Sequence, residues 1–460
     1  MSQATFTAAE LAAATNGIWR NAPPAANSYV INTDSRTIKA GECFLPIVGE
    51  RFDGHDFLDQ LPENTVALAA QGRQLPPDLP VLAVKDTLKA YQDIALYHRK
   101  RMSNLRIAAV TGSVGKTSVK EMLRAIFTEA VGAEHVLYTI GNTNNQIGVP
   151  QNLLRLDENI RFAVIEMGTN HHGEIAPLST CTQPDSAVIN TIAACHLEHL
   201  GSLEGVAKEK SAIYTALAKD GCAVFPQECA GNEVIRAAAK NFNNSTFGQN
   251  SNADVSSEYI AGSLNGSQVR LHFNKLDQSC EFAWELTGKH QADNAAAAAA
   301  VALSFGITPE VIARGLSNTT LPGKRMNSVI CNGTTWINDA YNANPQSMQS
   351  SLQCMAENCD KKNPLLLVLG DMLELGTQEI DYHRQVIEFA LNTFKLHNYT
   401  LFLLGKRFTA AAEMLELPKN VILFDTLEEV TQAVYQHKTA DMTIFLKSSN
   451  GTGLSRVEPC

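Results

Sequence analysis

Apolar positions along this chain cluster into short continuous runs separated by longer amphipathic stretches. Runs at 105–110, 162–166, 187–190 and 222–225 are almost unbroken in aliphatic and aromatic residues. A strand covered on both faces reads this way, and helical patterns between such runs predict a parallel sheet. The alternation restarts beyond Leu321-Pro322-Gly323, with runs at 335–339, 365–369, 401–404, 421–424 and 443–446. Residues 1–85 differ in texture: turn formers dominate, apolar runs at 43–48 and 66–69 are short, and 74–80 is rich in proline. An alanine run at 295–300 reads as a helix. The expectation is an α/β protein of three units, 1–85, 86–322 and 323–460.

Composition narrows the class. A length of 460 residues fits about three domains of ~150 residues. With 45% hydrophobic and 18% charged residues there is apolar surface for real cores, which excludes a disordered chain. A net charge of −10 argues against tracking a nucleic-acid backbone. No apolar run approaches the ~20 residues that span a bilayer. Residues 1–16 lack the basic start and apolar core of a signal peptide. The ten cysteines are scattered, without C-x-x-C or paired Cys/His spacing, so reduced thiols are expected and a structural zinc is not. These features describe a soluble cytoplasmic protein.

The strongest chemical signal is Thr111-Gly112-Ser113-Val114-Gly115-Lys116-Thr117, between a predicted strand and a predicted helix. Glycines let backbone N–H groups close around phosphate oxygens, and the helix N-terminus adds a favourable dipole. Lys116 would sit on the β- and γ-phosphates and the Thr117 hydroxyl on Mg²⁺. The loop is a short T-G-x-x-G-K-T variant, since Val110 occupies the first glycine position of the longer pattern. Glu166, at the end of the 162–166 run, is either a solvated strand-end acid or a Mg²⁺ ligand facing the phosphates. His196-Leu197-Glu198-His199 carries two histidines with no third ligand at metal spacing, so His196 suits an Mg²⁺ or phosphate neighbour better than zinc.

The stretch 202–217 reads as one helix with an apolar stripe of Leu203, Val206, Ala207, Ile213, Tyr214 and Leu217. Lys210 falls inside that stripe, while Lys208 lies off it. Periodicity leaves two readings of Lys210. It is a lysine snorkelling at the stripe's edge, or a buried one that must be paired, neutral or chemically modified.

Taken together these residues resemble the Mur ligases, ATP-dependent amide-forming enzymes of peptidoglycan precursor synthesis. The resemblance covers essentially the whole chain. It implies a small N-terminal α/β UDP-sugar domain, a central P-loop parallel-sheet ATPase domain and a C-terminal Rossmann-like α/β domain. It implies ATP contacts at Gly112, Ser113, Val114, Gly115, Lys116 and Thr117, at Asn294 within Gly288-Lys289-His290-Gln291-Ala292-Asp293-Asn294, and at Arg325. It further implies that Lys210 is carbamylated by CO₂. Two Mg²⁺ ions would then be held by Thr117, Glu166, His196 and Lys210.

Three further stretches are similar to the members that join D-Ala-D-Ala to UDP-MurNAc-tripeptide. Thr33-Asp34-Ser35-Arg36 and the segment from Gly49 to Phe57 resemble the UDP-sugar site, implying roles for Ser35, Arg36, Arg51 and His55. The Asn-rich loop Gly141-Asn142-Thr143-Asn144-Asn145-Gln146 implies Asn142 and Asn145 near the reacting groups. Asn338-Asp339-Ala340-Tyr341-Asn342 resembles the adenine and ribose segment. Asp371 and a downstream His383 are assigned to the dipeptide. One stretch departs from the family: Lys447-Ser448-Ser449-Asn450 stands where K-G-S-R is common, so Lys447 is carried over without a role. The implied reaction runs through an acyl phosphate, in a monomer that binds neither membrane nor nucleic acid. Competing readings are a folylpolyglutamate-synthase-like ligase and a nucleotide-binding regulator.

Overall fold

The computed structural model describes residues 3–21, 23, 27–49, 51–323 and 326–459. Its strands fall into three sheets, and the apolar runs read from the chain match strands within two residues, except that the run at 43–48 holds only the short strand Cys43–Phe44. In the central sheet Arg106–Thr111 lies between Phe162–Glu166 and Ser186–Ile189, parallel to both. Val136–Tyr138 extends the sheet on one side; Cys222–Pro226, Asn243–Gly248 and Val255–Ser263 extend it on the other, all parallel. The chain leaves Arg106–Thr111 toward one side and returns on the other. That reversal opens a crevice at the carboxyl ends of the strands, where open α/β sheets bind ligands.

Two antiparallel strands, Gly266–Phe273 and Gln278–Trp284, close one edge of this sheet. They were not expected from the sequence. Their inner positions, Val269, Leu271, Phe273, Phe282 and Trp284, are buried, and the residues between them are more exposed. Such alternation lacks the continuous apolar run of the parallel strands.

The alanine run lies in the helix Lys289–Ser304, with Ala295–Ala300 wholly buried against Val119, Met122 and Ile126 of the helix Lys116–Val131. Small side chains let these elements approach closely. Gly315 serves the same end on the helix Pro309–Ser317, where a Cβ would lie 2.5 Å from the Cα of Ile126.

The N-terminal sheet orders its strands Thr5–Thr7, Ser28–Asn32, Cys43–Phe44, Val66–Ala70, Val81–Val84 and Ile18–Arg20. The helix Thr87–Arg101 ties it to the central unit. Ala90, Tyr91 and Ile94 join the N-terminal core, and Ala95 joins the central one. The C-terminal sheet is parallel apart from the edge strand Asn327–Cys331. Separate cores lie on its two faces, one around Met348, Leu352 and Ile387 and the other around Val430 and Val434. The α/β expectation with three units therefore holds. No helix among the described residues is long and apolar enough to cross a membrane.

Candidate active site

Residues of all three units line one cleft of about 1180 Å³. Ile47 and Val48 come from the N-terminal unit, residues 113–118 and Glu166 from the central one, and Asp339, Tyr341, Asn342 and Lys447 from the C-terminal one. The phosphate-loop motif forms the floor, between its strand and the helix Lys116–Val131. Gly112 and Gly115 hold φ of +149° and +79°. A Cβ at Gly115 would collide with the side-chain amides of Asn190 and Asn294, so only glycine fits there. Those two amides brace the loop: Asn190 donates to the carbonyl of Val114 at 2.9 Å and to Asn294 Oδ1 at 2.7 Å. No side chain caps the helix start, which leaves its leading N–H groups to face the cleft. The Lys116 ammonium folds back onto the Gly112 carbonyl at 2.7 Å.

Glu166 is buried and is not a solvated strand end. Its carboxylate accepts from the Thr117 hydroxyl at 3.0 Å and from Asn144 Nδ2 at 2.9 Å, and its N–H donates to Thr139 Oγ1 at 2.9 Å. A hydroxyl beside a carboxylate is a hard oxygen pair, the donor set Mg²⁺ prefers. Asn144 was not singled out from the sequence, and neither was Asn190. Within the Asn-rich loop Asn144 turns inward to Glu166. Asn142 and Asn145 are exposed on the cleft wall, and Asn145 Oδ1 accepts the N–H groups of Ile147 and Gly148.

The helix carrying Lys210 is shorter than its apolar pattern. It spans Leu203–Ser211 with Ser202 as N-cap, and a 3₁₀ turn Ala212–Tyr214 follows. Leu203 is 38% exposed, so it leaves the stripe. Lys208 is exposed and Lys210 is buried at 1% exposure. Burial pushes the Lys210 ammonium down to about 8, helped by the nearby Lys116 charge. The snorkelling reading of Lys210 is thereby excluded. His196 lines the cleft at φ +52°. Burial first, then the Lys116 charge, lowers its pKa below the ordinary value, against the pull of Glu374, whose carboxylate lies 2.5 Å from Nδ1.

On the C-terminal wall Lys447 donates to Asp339 Oδ2 at 2.6 Å, a buried pair that Ser351 completes at 2.7 Å. Lys447, carried over without a role, is thus the counter-ion of Asp339. Asn338 Oδ1 and Asn342 Oδ1 accept the N–H groups of Ala340 and Ala343, shaping the turn that bears Tyr341. Asn294 and His290 face this wall from the central unit, and burial holds the His290 ring at about 4. Arg325 lies outside the described residues.

Other expected residues do not reach the cleft. Asp371 and His383 are buried within the C-terminal unit. The His383 Nδ1 donates to the carbonyl of Glu379 at 2.6 Å and Nε2 accepts the N–H of Met372 at 2.9 Å, leaving neither nitrogen for a ligand. Direct contact of this histidine with a dipeptide is corrected to a structural role. His55 is likewise spent between Asp53, at 2.6 Å, and the N–H of Ala70. Ser35 and Arg36 are not among the residues that line the cleft, and Arg36 is held on both oxygens of Asp34; Arg51 is not a lining residue either but follows Val48, which is, by three positions.

Comparison with known proteins agrees with this geometry. A family described as the Mur ligase middle domain matches residues 110–302, and one described as the Mur ligase, glutamate ligase domain matches 324–450. UDP-N-acetylmuramoyl-tripeptide–D-alanyl-D-alanine ligase from Escherichia coli (strain K12) is 38% identical over 370 residues, 78% of each chain. The enzyme of the same name from Bacillus subtilis (strain 168) is 34% identical over 93% of this chain and 92% of its own. A solved structure of MurF from Acinetobacter baumannii superposes with a TM-score of 0.90 at 31% identity, covering 99% of this chain and 98% of its own. A cleft built by three units around a phosphate loop, with this identity along the chain, means that the protein belongs to the Mur ligase family.

Proposed function

We propose that this chain is the ATP-dependent ligase that joins D-Ala-D-Ala to UDP-MurNAc-tripeptide, giving UDP-MurNAc-pentapeptide for peptidoglycan synthesis. The observation that carries it is the contact of Thr117 with buried Glu166 at the phosphate loop, in a cleft shared by all three units. The names of the relatives supply the substrates. Residues 1–85 are assigned to the UDP-sugar, 86–322 to ATP, and 323–460 to the nucleotide base and the incoming amine. A cytoplasmic setting, where ATP is at hand, belongs to the same proposal.

The tripeptide's terminal carboxylate attacks the γ-phosphorus of ATP, an O–P bond forms, and ADP departs. The amine of D-Ala-D-Ala then attacks the acyl carbon; phosphate leaves and the nitrogen gives up a proton. Phosphoryl transfer of this kind needs positioning and charge neutralisation more than a side-chain nucleophile. Lys116 and Arg325 supply positive charge to the phosphates, and the backbone N–H groups of 112–117 orient them. Thr117 and Glu166 would hold one Mg²⁺, with Asn144 fixing the carboxylate. His196 and a carbamate on Lys210 would hold a second. Bound there, Mg²⁺ offsets the charge that develops on the transferring phosphoryl group. Closure of the three units excludes water, which would otherwise hydrolyse the acyl phosphate.

Mass spectrometry of the products tests the reading, with phosphate release followed in parallel. Turnover must require both a UDP-muramyl tripeptide and D-Ala-D-Ala; nucleotide hydrolysis indifferent to either would reject it. The UDP-sugar assignment has its own check. Arg51 is exposed on the N-terminal unit, close in sequence to Val48 at the cleft. Loss of one charge-assisted phosphate contact costs about 1.5 kcal/mol. Arg51→Ala is therefore expected to raise KM for the UDP-tripeptide about tenfold while KM for ATP stays unchanged.

A further inference from the structure

The loop after the strand Leu365–Gly370 is fastened from several directions. Asp371 accepts the N–H groups of Arg407 and Phe408 at 3.2 and 3.0 Å. The N–H of Met372 reaches His383, and that of Leu373 donates to Ser449 Oγ at 3.0 Å. Met372 and Leu375 are buried in the C-terminal core. Between these fixed points Glu374 holds φ +64°, a left-handed conformation that few residues other than glycine adopt. Its side chain is turned away from its own unit.

The carboxylate ends 2.5 Å from Nδ1 of His196 in the central unit, 178 residues earlier. His196 is itself left-handed. Two non-glycine residues in strained conformations thus meet across a boundary between units, and such strain persists where the surroundings enforce it. Gly376 brings the backbones together beside them: a Cβ there would lie 3.3 Å from the N of Glu198.

A carboxylate on one imidazole nitrogen has a defined chemical effect. The proton is kept on Nδ1, and Nε2 is left with the lone pair that a cation requires. We infer that Glu374 is a positioning residue for the reaction, lent by the C-terminal unit to His196, so that the imidazole is correctly oriented for a divalent cation only while the two units are joined. The inference rests on the reading of His196 as cation-facing. It makes domain closure and assembly of that cation site one event.

The test uses the full-length protein with ADP and Mn²⁺ as the probe, free Mn²⁺ being followed by electron paramagnetic resonance. The Mn²⁺ lost in His196→Ala defines the affected site. Glu374→Ala is expected to weaken that Mn²⁺ about 10- to 100-fold, the usual effect of removing such a partner. The remaining Mn²⁺ and the KM for ATP should be unchanged. Glu374→Gln keeps an oxygen that can accept the Nδ1 proton and should recover most of the loss. The Glu374 side chain is 48% exposed, so the melting temperature of both variants should stay near that of the parent. If His196→Ala loses an Mn²⁺ and Glu374→Ala binds like the parent, the positioning role is wrong and the function stands. If neither variant changes Mn²⁺ binding, the cation-facing reading of His196 falls together with this inference.

Discussion

Lys116→Ala is expected to leave a folded protein whose phosphate release falls about 10²–10³-fold, the typical cost of removing one preorganised electrostatic group. The lysine opens the helix Lys116–Val131 and points back over the loop, where its ammonium bonds the Gly112 carbonyl at 2.7 Å. That bond contributes about 1.5 kcal/mol to folding. Against a typical stability of about 5–15 kcal/mol its loss is small. The loop itself is braced by Asn190 and Asn294, which the substitution does not touch. The ammonium is thus largely free for the γ-phosphate, where negative charge builds during transfer. A melting curve and a phosphate-release assay on the same sample separate the two effects. Near-normal release from the folded variant would remove the phosphate loop from the mechanism.

The second large effect is expected at Lys210. Its side chain is 1% exposed, so its charge is stripped of water. The adjacent Glu209 offsets this only in part: its charge favours the ammonium, but its carboxylate oxygens are held by the N–H groups of Gly173, Glu174 and Ile175. Lys116 repels it as well. With its pKa pushed down to about 8, the amine is about half neutral at pH 8, where an ordinary lysine is under about 1% neutral. A neutral amine adds to CO₂; the N–C bond forms and a proton leaves, giving an anionic carbamate with oxygens suited to Mg²⁺.

Because the lysine must first lose its proton, carbamylation at fixed dissolved CO₂ should increase as pH rises through about 8. Lys210→Ala should lose most activity, and a small carboxylate such as formate should restore part of it. Lys208→Ala, on the solvent side of the same helix, should stay within about twofold of the parent. Equal sensitivity at both positions, or full activity with an unmodified Lys210, would refute the carbamate.

What could be read from the chain was what local chemistry imposes. Buried parallel strands must be apolar on both faces, so their positions show as continuous runs. Arg106–Thr111 and Phe162–Glu166 were found within a residue for that reason. The phosphate loop was legible because its glycines, lysine and threonine act within seven consecutive residues. The antiparallel strands Gly266–Phe273 and Gln278–Trp284 were missed, since their buried positions alternate with polar, more exposed ones that dilute the apolar signal.

The sequence by itself determined the fold class, the phosphate loop and the existence of a lysine on an apolar face. Only the tertiary structure decided which polar side chains face one another. In one Asn-rich loop it turned Asn144 toward Glu166 and gave Asn145 to a backbone turn. It closed both nitrogens of His383 in backbone bonds, and it set Glu374 on His196 across 178 residues. The physical reason is range. Periodicity reports which side of an element is dry, a property of neighbours along the chain, whereas the partner of a hydrogen bond is chosen by the packing of segments that the chain keeps far apart.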